Sequence, residues 1–389
     1  MKNLFVVITV AALLSACSCN RKAEMEEKKS EAVYAVRDFG IDFFCRVALS
    51  EGYRARNVVC SPVSASMMVS LLANSVSDTA VVQIKSLFGS YDVGVLNYLN
   101  AEITSVLPSL DPKVMLRFAN SVWYDNNYTL VKDFTDVAKD SYGADIFRRD
   151  LSGNTLSVRN EIDSLVSAST NGEIRNLEIG MPAYGIIISA SCFKAEWMEM
   201  FDEKNTKNAV FHGAATDSEV NMMYRKGNYR HDVNEDCAYV ILPFGAGNFT
   251  ATFILPNGNI EEFLEKGKLN EILSSRPDAS EIELSLPKFK IAGDGEIDIS
   301  DILYDMGVKS LESPATLQLF KEEPMAERIK IYQKTSVEFN EKGAEASAVT
   351  DSEYLKSMCD EIVFNRPFIF FITEKSTKSI LFAGKIMSL

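Results

Sequence analysis

Histidine is almost absent. The 389-residue chain carries two, His212 and His231, both in polar stretches and neither beside a nucleophile motif. Ser-His or Cys-His catalysis needs an imidazole within hydrogen-bond reach of the nucleophile, so it has no warrant here. No Gly-x-Ser-x-Gly elbow, phosphate-binding glycine loop or His-Glu-x-x-His helix occurs. Ser-Lys or carboxylate catalysis needs no histidine, yet no nucleophile, base and stabiliser can be named for it. The expectation is a chain with no catalytic residues, cofactor or metal. Basic charge is also in deficit: Lys+Arg number 40 against 54 Asp+Glu, for a net charge of −14. That balance opposes nucleic acid and anionic membrane surfaces as electrostatic partners. The seven cysteines lack the short repeated spacings of a zinc site or a disulfide framework. Cys45, Cys60 and Cys192 sit in apolar runs and are expected as buried thiols.

The N-terminus has a positive start at Lys2 and an apolar core from Leu4 to Leu14, too short to span a bilayer. Residues 1–16 read as a targeting segment outside the fold. Leu14-Ser15-Ala16-Cys17 resembles a bacterial lipobox, which implies cleavage before Cys17 and a lipid on its sulfur. Residues 17–32 would then be a flexible charged tether, and 33–389 the folded part. The implied location is the bacterial cell envelope, facing periplasm or cell surface, with membrane contact only through the anchor at Cys17. Asn127-Tyr128-Thr129 forms a glycosylation sequon, read as chance in such a chain.

The periodicity points to α+β. Val33 to Ala48 and Ala65 to Leu72 have helical spacing, and Thr79 to Phe88 stops at Gly89. Val114 to Tyr124 is a strand candidate. Tyr239 to Phe244 and Phe249 to Leu255 flank Gly245-Ala-Gly-Asn248 as a hairpin. Phe368 to Thr373 and Ser379 to Ile386 read as buried C-terminal strands.

One segment looks built to change conformation. After Gly343 the even positions are Ala344, Ala346, Ala348, Thr350, Ser352 and Tyr354, and the odd ones are mostly polar. In a strand the two sets face opposite sides. Pro is missing and Gly343 can act as a pivot. This stretch, Glu341 to Thr350, resembles the hinge of a serpin, a serine protease inhibitor. Further matches run in register: Asn57 to Ser64, Phe118 to Trp123, Phe193 to Phe201, Leu286 to Phe289, Phe364 to Phe368 and Leu381 to Lys385. Each is weak alone, and six in order are strong. The resemblance covers about Val33 to the end. It implies one large fold with three β-sheets, a helical cluster and an exposed reactive loop.

The resemblance also implies a mechanism. A protease attacks the loop, forms an acyl-enzyme, and is trapped when the cut loop inserts as a central strand. The expected partner is a serine protease, with cysteine proteases as a further option, in a covalent 1:1 complex with a monomeric inhibitor. Lys356-Ser357 is the expected reactive bond, a lysine suiting a trypsin-like pocket. Ser357-Met358, or a bond after Tyr354 or Leu355, stays open. Lys288 and Glu341 match a salt bridge at the top of the sheet beside Trp197. Ser61, Ser64, Asn120, Ser189 and Gln333 match a mid-sheet hydrogen-bonding cluster. Ser189 replaces a usual Asn and Gln333 a usual His, so a histidine-linked pH dependence is not expected. Ala344 replaces a usual Thr and Ala195 a usual Gly. The alternative is a non-inhibitory surface binding or scaffold lipoprotein on the same fold. Such members commonly carry Pro, bulky or charged inward residues near the hinge, and this chain carries none.

Overall fold

The computed structural model describes residues 2–180, 184–292, 296–313, 316, 318–322, 329–343 and 360–389, with side chains from Met25 onward other than those of Ala292 and Glu312. The first half holds helices α1 (Lys2–Leu49), α2 (Pro62–Leu72), α3 (Asp78–Leu87), α4 (Val93–Val106), α5 (Lys132–Tyr142) and α6 (Thr155–Ser169). The strands are β1 (Val58–Cys60), β2 (Val114–Asp125), β3 (Asp145–Arg149), β4 (Gly185–Ala195), β5 (Lys207–His212), β6 (Asp217–Val233), β7 (Cys237–Phe244) and β8 (Phe249–Pro256). They continue with β9 (Ala279–Pro287), β10 (Phe289–Ala292), β11 (Ile297–Asp298), β12 (Lys330–Phe339), β13 (Asp360–Val363), β14 (Phe368–Glu374) and β15 (Ile380–Ile386).

The expected helices, hairpin and C-terminal strands are all present. The expected three sheets are joined into two by hydrogen bonding. One is six-stranded, ordered β10-β12-β4-β2-β3 with β11 also on β12. The other is nine-stranded, and β6 is the reason. Its N-terminal part pairs β5, its middle β9 and its last residues β7, so a single long strand serves both parts.

The six-stranded sheet is covered on both faces, which is why β4 is a nearly unbroken apolar run. On one face lies α2, every residue of which is buried. Ser61 caps it and Pro62 opens it, a pairing that suits a helix start. On the other face lie α6 and the strap that follows it, residues 170–180. Ile174, Leu177 and Ile179 of the strap pack with Val158 and Ile162 of α6 onto Ile186, Ile188 and Ala190 of β4.

The segment expected to be a flexible tether, residues 17–32, differs: α1 runs through it without a break. Its sequence is rich in helix-favouring Glu, Lys, Met and Ala. Glu26 and Lys29 pair at 2.7 Å one turn apart. The helix is also held from outside. Lys29 bonds Glu102, and Tyr98 donates to Glu26 at 2.5 Å, both partners lying on α4. Among the described residues no helix is long and apolar enough to cross a membrane.

Candidate functional site

Strands β12 and β4 lie side by side and parallel, in register from Lys330 opposite Ile186 to Val337 opposite Phe193. Their shared seam runs down the middle of the sheet. At its upper end the chain leaves β12 through Asn340-Glu341-Lys342-Gly343 and turns back, so that Asn340 bridges Gly343 in antiparallel sense. Gly343 has φ +91°, a conformation that favours glycine. A Cβ there would collide with the backbone of Ala195, Glu196 and Trp197. Beyond Gly343 the chain travels to β13, which pairs β9 at the edge of the other sheet. Ala344, Ala346 and Ala348, together with Lys356 and Ser357 of the expected reactive bond, fall between these points, outside the described residues.

The top of the seam is a gate built on Trp197 and Glu341. Lys288 donates to Glu341 Oε2 at 3.0 Å, and Thr206 Oγ1 to Glu341 Oε1 at 3.0 Å. Trp197 Nε1 donates to the carbonyl of Asn340 at 2.8 Å. The backbone N–H groups of Trp197 and Phe201 bond the carbonyls of Lys342 and Glu341. Trp197 stacks on Phe244 with ring centroids 4.3 Å apart. Burial pushes the Glu341 carboxyl up, but its own backbone N–H, Lys288 and Thr206 outweigh that and hold it below the ordinary carboxylate value. The Lys288 side chain is 45% exposed against 8% for Glu341. Solvent screening therefore limits the pair to about 1 kcal/mol.

The mid-sheet residues are all buried, but they do not form one cluster. Gln333 accepts from the Ser61 N–H and donates to the Ser61 carbonyl, each at 2.8 Å. Ser61 Oγ donates to Ser64 Oγ at 2.9 Å. Ser189 Oγ donates to Asn120 Oδ1 at 2.8 Å, and Asn120 Nδ2 to the Tyr142 carbonyl at 2.9 Å. The first group ties β12 to the start of α2; the second ties β4 to β2 and α5. Gln333 and Ser189 are opposite each other across the seam, but their side chains bond elsewhere, Gln333 to Ser61 and Ser189 to Asn120. Glutamine makes this division possible, because its amide spends both ends on the backbone of one residue.

The two histidines stand apart. His212 faces Asp217 at 3.2 Å and His231 the carbonyl of Tyr229 at 3.0 Å. Cys60, Cys192 and Cys237 are buried and free, while Cys45 is only half-buried. Burial drives the Cys192 and Cys237 thiols up to about 11 and Cys45 to about 12. The side chain of Cys17 lies outside the described residues. Sequence reasoning missed Thr206, which shares Glu341 with Lys288, and Tyr142, whose carbonyl anchors Asn120. A lone threonine and a main-chain carbonyl carry no motif.

A six-stranded sheet with a parallel seam, a chain that doubles back at the end of that seam, and a second, nine-stranded sheet define a two-sheet α+β protein. Residues 34–389 match the family model described as serpin (serine protease inhibitor), and the chain belongs to that family. It is 29% identical over 373 residues to "Iris" of Ixodes ricinus, covering 91% of this chain and 98% of that one. To the "Serine protease inhibitor" of Cyanea capillata it is 27% identical, covering 85% and 92%. The crystal structure of tengpin, a thermophilic serpin in the native state, superposes with a TM-score of 0.82 at 25% identity, covering 92% of this chain and 94% of that one.

Proposed function

We propose that this serpin inhibits serine proteases of trypsin-like specificity by inserting its cleaved loop into the β12–β4 seam, and that it does so at a bacterial envelope, anchored through a lipid on Cys17. The observation that carries the reading is the strand direction. Strands β12 and β4 are parallel, and a chain that reverses at Gly343 runs antiparallel to both. Insertion thus exchanges one parallel ladder for two antiparallel ones, and antiparallel pairing is the slightly more stable per residue. Each added ladder bond contributes about 0.5–1.5 kcal/mol net. Serpin loop insertion is itself a standard instance of strand addition and strain release.

The register supports the same reading. Continuing from Asn340 opposite Gly343, Ala344 would meet Phe339, Ala346 would meet Val337 and Ala348 would meet Thr335. Those three partners are 1–2% exposed, so only small neighbours fit beside them. A protease dragged along by the inserting loop loses its aligned triad and oxyanion hole, and the acyl ester persists.

The test mixes a soluble form starting at Ala32 with trypsin and with an elastase. The expected result is an adduct that survives a denaturing gel, cut after Lys356 by mass spectrometry of the released peptide. Cleavage with neither adduct nor thermal stabilisation would replace this reading by that of a scaffold lipoprotein.

A further inference from the structure

On the strap side of the sheet, three charged residues form a row across neighbouring strands. Lys290 on β10 stands opposite Glu338 on β12, and the two approach to 3.4 Å. Lys194 on β4 lies one residue beyond the Val337–Phe193 pair of the seam, at the level of Glu338. Above the row sits Glu173. It accepts from Lys194 at 2.7 Å and from Lys290 at 2.9 Å. One carboxylate therefore holds two strands that have β12 between them.

The strap is shaped to place it. α6 ends at Ser169 with Thr170 as its C-cap, and Asn171 and Gly172 take left-handed φ of 58° and 79°, a common way to stop a helix. Gly172 N–H returns to the Ser167 carbonyl and Glu173 N–H to that of Thr170. Thr170 Oγ1 donates to the Val166 carbonyl and accepts from Ile174 N–H. Glu173 is thereby directed onto the sheet, where its side chain is 13% exposed.

We infer that Glu173 is a positioning residue that clamps the seam and sets the rate at which it opens to a new strand. The inference rests on the insertion reading above. Opening the seam moves β12 and β10 together away from β4 by one strand spacing, about 4.8 Å. A carboxylate already at 2.7 and 2.9 Å from its two lysines cannot span that added distance, so one contact must break before the strand enters. The lysines are 35% and 45% exposed. Screening keeps the expected effect modest, about threefold to tenfold in rate.

The experiment measures uptake of a synthetic peptide of residues 344–356 by the full mature chain, read as thermal stabilisation and a native-gel shift. Glu173→Gln keeps the bulk and removes the charge; it should speed uptake about threefold to tenfold, with little change in melting temperature before uptake. Lys290→Met should do the same. The double variant should be no faster than either single one, since both remove the same clamp. Salt should accelerate the wild type and leave Glu173→Gln unmoved. Arg175→Ala is the control: Arg175 bonds the Gly172 carbonyl within the strap without touching either lysine. Equal acceleration by that variant, or additive single effects, would reduce Glu173 to a structural role and overturn the clamp. If uptake follows the expected pattern while no protease is trapped, the clamp stands and the inhibitory reading falls. If the wild type neither takes up peptide nor traps a protease, both fall.

Discussion

Gln333 and Ser61 form a closed two-bond ring, the side-chain amide of one matching the backbone N–H and carbonyl of the other at 2.8 Å each. The ring fastens β12 to the N-terminus of α2 at the middle of the sheet. Gln333→Ala would leave the Ser61 N–H buried and unpaired, at a cost of about 1–3 kcal/mol, while the Ser61 carbonyl would keep the Ala65 N–H as its donor. The expected outcome is a lower denaturant midpoint for the intact protein. Because the ring lies on one side of the seam, the same variant should still take up loop peptide.

The gate predicts an acid limit on stability. Glu341 is held below its ordinary pKa, so the folded state binds its proton less readily than the unfolded chain. Its contribution is complete above the unfolded carboxylate range and is lost as pH falls through the folded value. Glu341→Gln should therefore cost about 1 kcal/mol near neutral pH and nothing in strong acid. Urea melts of both proteins across pH check this, and a constant difference would rule out the charge as its source.

Gly343→Ala offers a steric test of the hinge. The added Cβ meets the backbone of Ala195 and Trp197, and an L-residue at φ +91° adds strain of about 1–3 kcal/mol. The gate should loosen, and the tryptophan emission of the native protein should change, since Trp197 loses its fixed partners. Retention of wild-type stability and emission would mean that the turn reforms elsewhere.

Ala348→Pro addresses insertion without touching the bond that is cut. Proline has no N–H to donate to a ladder. Cleavage by the target protease should continue at the wild-type rate, while the covalent adduct disappears. Undiminished adduct on a denaturing gel would contradict insertion.

Lys385 gives an alkaline signature. Its ammonium is fully buried on β15 and donates to the carbonyls of Ala48, Tyr53 and Arg54 at 2.7–3.0 Å. Burial lowers its pKa from 10.5 to about 8. Between those values the unfolded chain carries the extra proton, so stability from this site rises with pH. Relative to Lys385→Met, the wild type should gain up to about 3 kcal/mol across that window, measured by denaturant melts.

Much of this molecule was legible beforehand, for local reasons. Ser61-Pro62 announces a helix start, and Gly245-Ala-Gly-Asn248 a hairpin. The apolar C-terminal runs announce strands buried on both faces. Lys288 and Glu341 were legible only through the resemblance, since 53 residues separate them. What stayed hidden depends on contacts made at a distance. Glu173 meets Lys290 across 117 residues and resembles any solvated acid in a loop. The long β6 joins two sheets because its partners change along its length, which no periodicity records. The segment around Lys29 read as a solvated charged tail, and it is helical because α4 supplies Tyr98 and Glu102 as outside partners.

That docked helix has a consequence for how far this molecule reaches. With Glu26 and Lys29 pinned to α4, the backbone from Cys17 to the first anchored turn is a rod of about 14 Å at 1.5 Å per residue. Under the proposed anchoring, a lipid on Cys17 would hold the body within that distance of the bilayer and give it a short capture radius, so that only enzymes arriving at the surface would meet it.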